Sequence, residues 1–249
     1  MEGHSRKRVP GLTGTGLKVI AMVSMAVDHT AVALVWPAAS AGPAESGLYF
    51  LYWVMRAAGR LAFPIYGFLL VQGFLHTSSR KRYLGRLCAF ALISEVPFDL
   101  IIAGRVFDPG VQNVFFTLAA AMGTIWVLER LEERGHTGDT AGTLAEKCSF
   151  AWLPIAAAGG LAAWLLRGDY GFLGVMFAAV VWRFRGEPEK RLAGELVSLG
   201  LLGVGNLPCL LAIPLTEKYN GQRGPRLGLW AYWFYPLHLL VLKGLQMVI

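Results

Sequence analysis

Apolar residues run along this chain in long stretches, separated by short polar or basic clusters, instead of alternating with polar ones. A membrane-crossing helix needs about 20 mostly apolar residues at 1.5 Å rise each. Segments at 17–36, 61–75, 83–103, 113–128, 150–166, 171–182, 192–215 and 229–247 approach that pattern. The second has an apolar lead-in from 48, interrupted by Arg56, Gly59, Arg60 and Pro64, and the third contains Glu95 and Pro97. The seventh carries a Gly205-Asn206-Leu207-Pro208 break. Such interruptions are tolerated where neighbouring helices satisfy the freed backbone groups. The pattern predicts an all-α polytopic membrane protein of about eight transmembrane helices. It divides into a polar tail over 1–16 and one membrane domain over 17–249.

Composition agrees: of 249 residues, 55% are hydrophobic and 16% charged, against roughly 25% charged in an ordinary soluble domain. That excludes a disordered chain. The net charge of +7 would suit nucleic acid, but the basic residues cluster between apolar runs, as membrane topology requires. With the N-terminus inside and eight crossings, sixteen of the 23 Lys and Arg residues fall on the inner side and seven on the outer. This predicts N- and C-termini in the cytoplasm and a place in the cytoplasmic (inner) membrane. The tail (His4, Arg6, Lys7, Arg8) resembles the start of a signal peptide, but Asp28-His29 is foreign to an h-region, and the reading is a retained first helix. Cys88, Cys148 and Cys209 are too scattered for a disulfide framework or a zinc site, so no metal is expected. The 129–149 loop and His136 read as solvated.

Ionisable residues inside lipid cost roughly 2.5–3.5 kcal/mol at a helix centre, so each is a candidate for function. Asp28-His29 lies past the middle of the first helix, and Glu95 lies at similar depth beside Pro97. Arg56 and Arg60 share a helix face at i,i+4 and either clamp an anion or snorkel to the interface. Asn113 and Thr117 repeat that spacing, as a helix cap or an interhelical bond. Asp169 opens the sixth segment, His238 follows Tyr235-Pro236 in the last, and Tyr219, Asn220 and Arg223 lie in the final loop. In the eight-crossing scheme Asp28, His29, Arg56, Arg60, Glu95, Asn113, Thr117, Asp169, Tyr219, Asn220 and Arg223 share the outer half. A polar chamber opening outward accounts for them together.

At these positions the sequence resembles the TraX family, named for the F-pilin acetylation protein. The resemblance rests on LKVIAMVSMAVDHT (17–30), MRAAGRLAFPIYGFLLVQGFLHTSSRKRYLGRL (55–87), ISEVPFDL (93–100), NVFFTL (113–118), DYGFLGV (169–175), KYNGQRG (218–224) and FYPLHLL (234–240). Asp28, His29, Arg56, Gly59, Arg60, Phe63, Pro64, His76, Asn113, Asn220, Gly221, Arg223, Gly224, Tyr235, Pro236 and His238 occupy motif positions, whereas Gln72 stands where the motif commonly has Glu. The resemblance implies a membrane-embedded acyltransferase with acetyl-CoA as donor, and a peptide N-terminus or a glycan as acceptor. It leaves room for a homo-oligomer. Acyl transfer needs a proton acceptor, a task suited to His29 with Asp28 or Glu95 orienting it; His238 is the second candidate. Arg56, Arg60 and Asn113 would stabilise developing negative charge or bind the acceptor, with Asn220 and Arg223 beside them. His76, Arg80, Lys81 and Arg82, at the inner mouth, are the expected anchors for the phosphates of CoA. A secondary transporter or a scaffold for envelope assembly are the competing classes.

Overall fold

The computed structural model describes residues 10–43, 47–136 and 150–248. The start of the tail with His4, the 137–149 part of the loop with Cys148, and the side chain of His136 lie outside them. The described residues are all-helical, with isolated β-bridges but no strands.

Helix α1 spans Gly14–Ser40. The Thr13 hydroxyl accepts from Gly16 N at 3.1 Å, a cap worth about 1 kcal/mol. Directly after Asp28-His29 the helix widens into a π turn at Ala31–Val35, a feature common at functional sites. The second apolar segment splits into α2 (Gly47–Gly59) and α3 (Ala62–His76), with the break where Gly59, Arg60 and Leu61 interrupt the pattern. Helix α4 (Arg80–Ile102) starts at a Ser79 cap and continues through Pro97. Then follow α5 (Val114–His136), α6 (Trp152–Leu165), α7 (Gly171–Arg183) and α8 (Pro188–Gly200). A 3-10 segment, Val204–Ala212, passes into a short α9 (Ile213–Glu217), and α10 covers Trp230–Gln246.

Among the described residues, three helical stretches are long and apolar enough to cross a membrane: Gly14–Ser40, Gly47–His76 and Val114–Arg134. Helix α3 is buried along most of its length, with Ile65, Val71 and Phe74 fully enclosed. Gly67 lets it approach Phe177 of α7, where any Cβ would collide with the ring. The outside is apolar too. Val23, Leu92, Trp164, Leu165 and Val241 are all exposed, as suits contact with lipid.

Contacts among the helix ends sort the molecule into two faces. On the near face Arg80 pairs with Glu129, Arg185 with Glu132, and Arg191 with Glu217. The 218–225 loop joins this face, since Leu12 N donates to Lys218 O and Thr15 N to Arg223 O. The eight-crossing scheme put residues 12–15 and 218–225 on opposite sides; they are hydrogen-bonded neighbours. Hence 188–217 does not cross. Helix α8 leaves the near face, the chain turns at Gly203 (φ +91°), and the 3-10 segment and α9 return to it. Helix α10 consequently runs parallel to α1, with Gln246 donating to Ala33 O, far from Gly14. The C-terminal end lies at the far face, not beside the N-terminal one as expected. The charge pattern becomes cleaner: among the described residues, far-face basic side chains are Arg105, Arg167 and Lys243, while 218–226 joins the basic near face.

Candidate functional site: a histidine pair beside an arginine-clamped aspartate

Asp28 and His29 lie about 21 Å along the roughly 40 Å of α1. Adjacent helical residues point about 100° apart, so the two face different neighbours. Asp28 faces α2 and is buried. Its Oδ2 accepts from Arg56 Nη1 at 2.5 Å, and Arg60 Nη2 reaches both oxygens, at 3.2 and 3.0 Å. Gly59 makes the approach possible, since a Cβ there would overlap the Asp28 carboxyl group. Ser24, one turn earlier, donates to the carbonyls of Ala58 and Gly59 at 2.6 and 3.1 Å and so satisfies backbone freed at the α2–α3 break. The arginines do not snorkel; they clamp Asp28.

Arg60 also donates to Tyr170 Oη at 3.3 Å and Asn206 Oδ1 at 3.2 Å, and Cys209 bonds its carbonyl. One guanidinium therefore ties α1, the 168–170 turn and the returning hairpin together. That turn sits at membrane depth because α6 and α7, 14 and 13 residues long, are too short to span a bilayer alone. Its backbone is satisfied by Gln112 O and by the Thr117 hydroxyl on Asp169 O. Tyr170 takes a left-handed conformation (φ +63°), costly for a non-glycine residue. Stacking on Phe63, with ring centres 3.9 Å apart, and the Arg60 bond hold it there.

His29 faces α10. Its Nδ1 lies 2.7 Å from Nε2 of His238, and His238 Nδ1 lies 2.8 Å from Phe234 O. A carbonyl only accepts, so His238 must carry its proton on Nδ1. The lone pair of His238 Nε2 then accepts from His29 Nδ1–H. This ordering leaves Nε2 of His29 as a lone pair without a hydrogen-bond partner among the described residues. Tyr235 packs edge-on against both imidazoles, with ring centres 5.7 Å apart in each case. The orienting group of His29 is thus His238, not Asp28 or Glu95.

Glu95 has a different task. Its Oε2 accepts from the side-chain amide and the backbone N of Asn113, whose amide also donates to Ala91 O at 2.8 Å. Asn113 Oδ1 caps α5 through Phe115 N. This knot joins α4 to the start of α5, while Glu95 Oε1 is buried without a hydrogen-bond partner among the described residues. Asp28, His29, His238, Arg56, Arg60, Asp169 and Thr117 therefore converge, and the Glu95–Asn113 knot adjoins them through Tyr235 and Phe115.

Other expected site residues lie elsewhere. Asn220 and Arg223 sit at the start of α1, about 20 Å from Asp28, where Asn220 N donates to Leu12 O. Tyr219 packs on Phe68 of α3. Arg80 pairs with Glu129, and Lys81, Arg82 and His76 are exposed on the near face, away from the histidine pair. Ser24, Tyr170, Asn206 and Tyr235 belong to the site or its support, although sequence reasoning assigned them no role. Their signals were the Asp169-Tyr170-Gly171 opening, the Gly205-Asn206 break and Tyr235-Pro236 beside His238. Among the described residues no cluster of His, Cys, Asp and Glu is arranged to hold a metal.

No solved structure matches the chain. A relative from Dichelobacter nodosus, named "Probable fimbrial assembly protein FimC, serogroup H1", is 28% identical, over 93% of this chain and 94% of its own length. The profile of the family described as TraX protein matches residues 13–246, which contain both members of the histidine pair and the clamped aspartate. The chain belongs to the TraX family.

Proposed function

We propose that this protein is an inner-membrane acyltransferase that moves an acetyl group from acetyl-CoA to an amine or hydroxyl of an envelope or exported substrate, a peptide N-terminus or a glycan. The observation that carries this reading is the ordered Phe234–His238–His29 relay, which frees one imidazole nitrogen in a membrane-embedded cluster. Family membership and the fimbrial-assembly name of the relative support an acceptor of the envelope.

In this reading His29 Nε2 takes the proton of the acceptor as its nitrogen or oxygen attacks the thioester carbonyl carbon. The new C–N or C–O bond forms, the C–S bond breaks, and the imidazolium returns its proton to the departing thiolate. His238 Nε2 stabilises that imidazolium through the bond from His29 Nδ1–H, as an orienting group does in a catalytic triad. The two arginines and Asp28 leave one positive charge over from their own pairing, which favours a developing oxyanion nearby. The near face is cytoplasmic in this reading, because it carries the basic excess. The donor then enters there, and the C-terminal end of α10 lies outside.

Purified protein in nanodiscs, given labelled acetyl-CoA and peptide-amine or glycan acceptors, tests the proposal. Transfer of label that is lost in a folded His29→Ala variant is the expected result. Equal transfer by His29→Ala refutes the mechanism, and no transfer to either acceptor class refutes the activity. The name of the relative favours a second reading, an assembly scaffold without chemistry; fimbrial assembly that survives His29→Ala in cells would support it.

A further inference from the structure

Pro37 leaves a carbonyl without its helical partner. In an α-helix the oxygen of Ala33 would accept from the backbone N of residue 37, and proline has no N–H. Ala33 lies inside the π turn that follows His29. A donor comes from another helix: Gln246 Nε2 of α10 reaches Ala33 O at 3.1 Å. Lys243, one turn earlier on α10, donates from Nζ to Gln246 Oε1 at 2.8 Å. An ammonium only donates and a carbonyl only accepts, so one orientation of the amide satisfies both. The Lys243 charge also polarises the amide and strengthens its N–H as a donor.

Two hydrogen bonds thus join α1 to α10. The inner one is the 2.7 Å contact of His29 with His238. The outer one lies four residues further along α1, about 6 Å. It matters because α10 is weak between its ends. Pro236 stands inside α10 and removes the N–H that would bond Tyr232 O, and helices bend at such places. The part of α10 beyond it carries both His238 and Gln246. Gln246 is ten residues past Pro236, about 15 Å along the axis, whereas His238 is two. A pin at the long end of a lever holds its angle best. Play of about 1 Å at Gln246 is about 4° at Pro236 and well under 1 Å at the His238 ring, which a hydrogen bond tolerates.

We infer that Gln246 is a positioning residue for the histidine pair: by holding Ala33 O it sets the angle of α10 beyond Pro236, and with it the approach of His238 Nε2 to His29 Nδ1–H. Lys243 orients the amide that does so. The effect on a reaction rate rests on the acyltransferase reading; the effect on the pair does not.

The test uses the full-length protein in nanodiscs, with nitrogen-15 in its histidines. Nitrogen–nitrogen coupling across the bond from His29 Nδ1 to His238 Nε2 reports the pair directly, and acetyl transfer is measured in parallel. Gln246→Met keeps the length of the side chain and removes the donor. It is expected to abolish the coupling and to lower kcat about tenfold, with KM for acetyl-CoA within about twofold of wild type. Gln246→Glu, which puts an acceptor where a donor is needed, should do the same. Lys243→Arg still donates to Oε1 and should keep both coupling and rate. Pro37→Ala gives Ala33 O a donor from within α1. Adding Gln246→Met to it should then cost little stability but still remove the coupling and the rate, because nothing pins α10. Recovery of coupling and rate in that double variant would show that Gln246 merely satisfies a carbonyl, and overturns the inference. Wild-type kcat in Gln246→Met overturns it as well, whether or not the coupling persists. Loss of the coupling in Gln246→Met, in a protein that transfers no acetyl group in any form, supports the positioning role and removes the acyltransferase reading.

Discussion

Replacing Asp28 with Asn removes one negative charge from a buried cluster and leaves the space filled. The side chains of Asp28, Arg60 and Arg56 are 11%, 13% and 25% exposed, so solvent screens the pairs weakly. Breaking a buried ion pair by removing one partner costs about 3–5 kcal/mol. The two arginines should not suffer equally. Arg60 keeps Tyr170 and Asn206 as neutral acceptors, whereas among the described residues the side chain of Arg56 hydrogen-bonds to Asp28 and is the more exposed. Asp28→Asn is therefore expected to destabilise the protein by about 3 kcal/mol, the lower end of that range. Arg60→Gln should cost about as much, because it also unties the 168–170 turn and the hairpin; Arg56→Gln should cost about 1–2 kcal/mol. Equilibrium unfolding in mixed micelles, followed by tryptophan fluorescence, measures each variant. A double-mutant cycle with Asp28→Asn/Arg60→Gln should return a coupling of about 2 kcal/mol. A cycle that closes to zero would falsify the clamp, because the residues would then be independent.

Three other outcomes follow from the same geometry. Gly59→Ala puts a methyl group into the Asp28 carboxyl group and should destabilise by about 1–3 kcal/mol; a neutral result in the same unfolding assay contradicts the close approach. His238→Phe should lower the acyl-transfer rate by about 10²–10⁴-fold, while His238→Gln, whose amide oxygen still accepts from His29 Nδ1–H, should recover part of it; equal rates in the two would show that the relay is irrelevant. A single cysteine at position 248, in a background without native cysteines, should react with an impermeant maleimide from outside the cell, and one at position 222 should react only after the membrane is opened. The reverse pattern, with 222 reacting from outside and 248 only after the membrane is opened, would restore a crossing by 188–217.

Helices were legible because each is written locally. Apolar runs, the Ser79 cap and the break at Gly59-Arg60-Leu61 all appear within a few residues of the element they shape. The returning hairpin was not, since 192–215 has the length and composition of a crossing and nothing local says which way the chain leaves its deepest point. The clue was electrostatic. A supposed outer loop with Lys218, Arg223 and Arg226 was the odd member of the charge pattern. Likewise, Asp28 and His29 could be named from hydropathy alone, but their partners lie 28, 32 and 209 residues away. Which partner each takes depends on how α1 is rotated, a property of packing and not of spacing.

That rotation explains why a carboxylate and an imidazole stand side by side in sequence without touching each other's partners. Asp28 is held by cations on α2 and at the start of α3, and His29, about 100° around the helix, is held by α10. Two interlocks on neighbouring residues fix α1 about its axis, and the π turn just beyond absorbs the change in register. The aspartate therefore reaches the chemistry through geometry. If Asp28→Asn loosens the clamp, His29 loses its alignment with His238 even though neither imidazole was altered. Loss of activity at Asp28 would then track loss of stability, and a variant that restored stability elsewhere in the clamp would restore the rate. A catalytic aspartate would not permit that recovery, so the two roles separate in one pair of measurements on the same double variants.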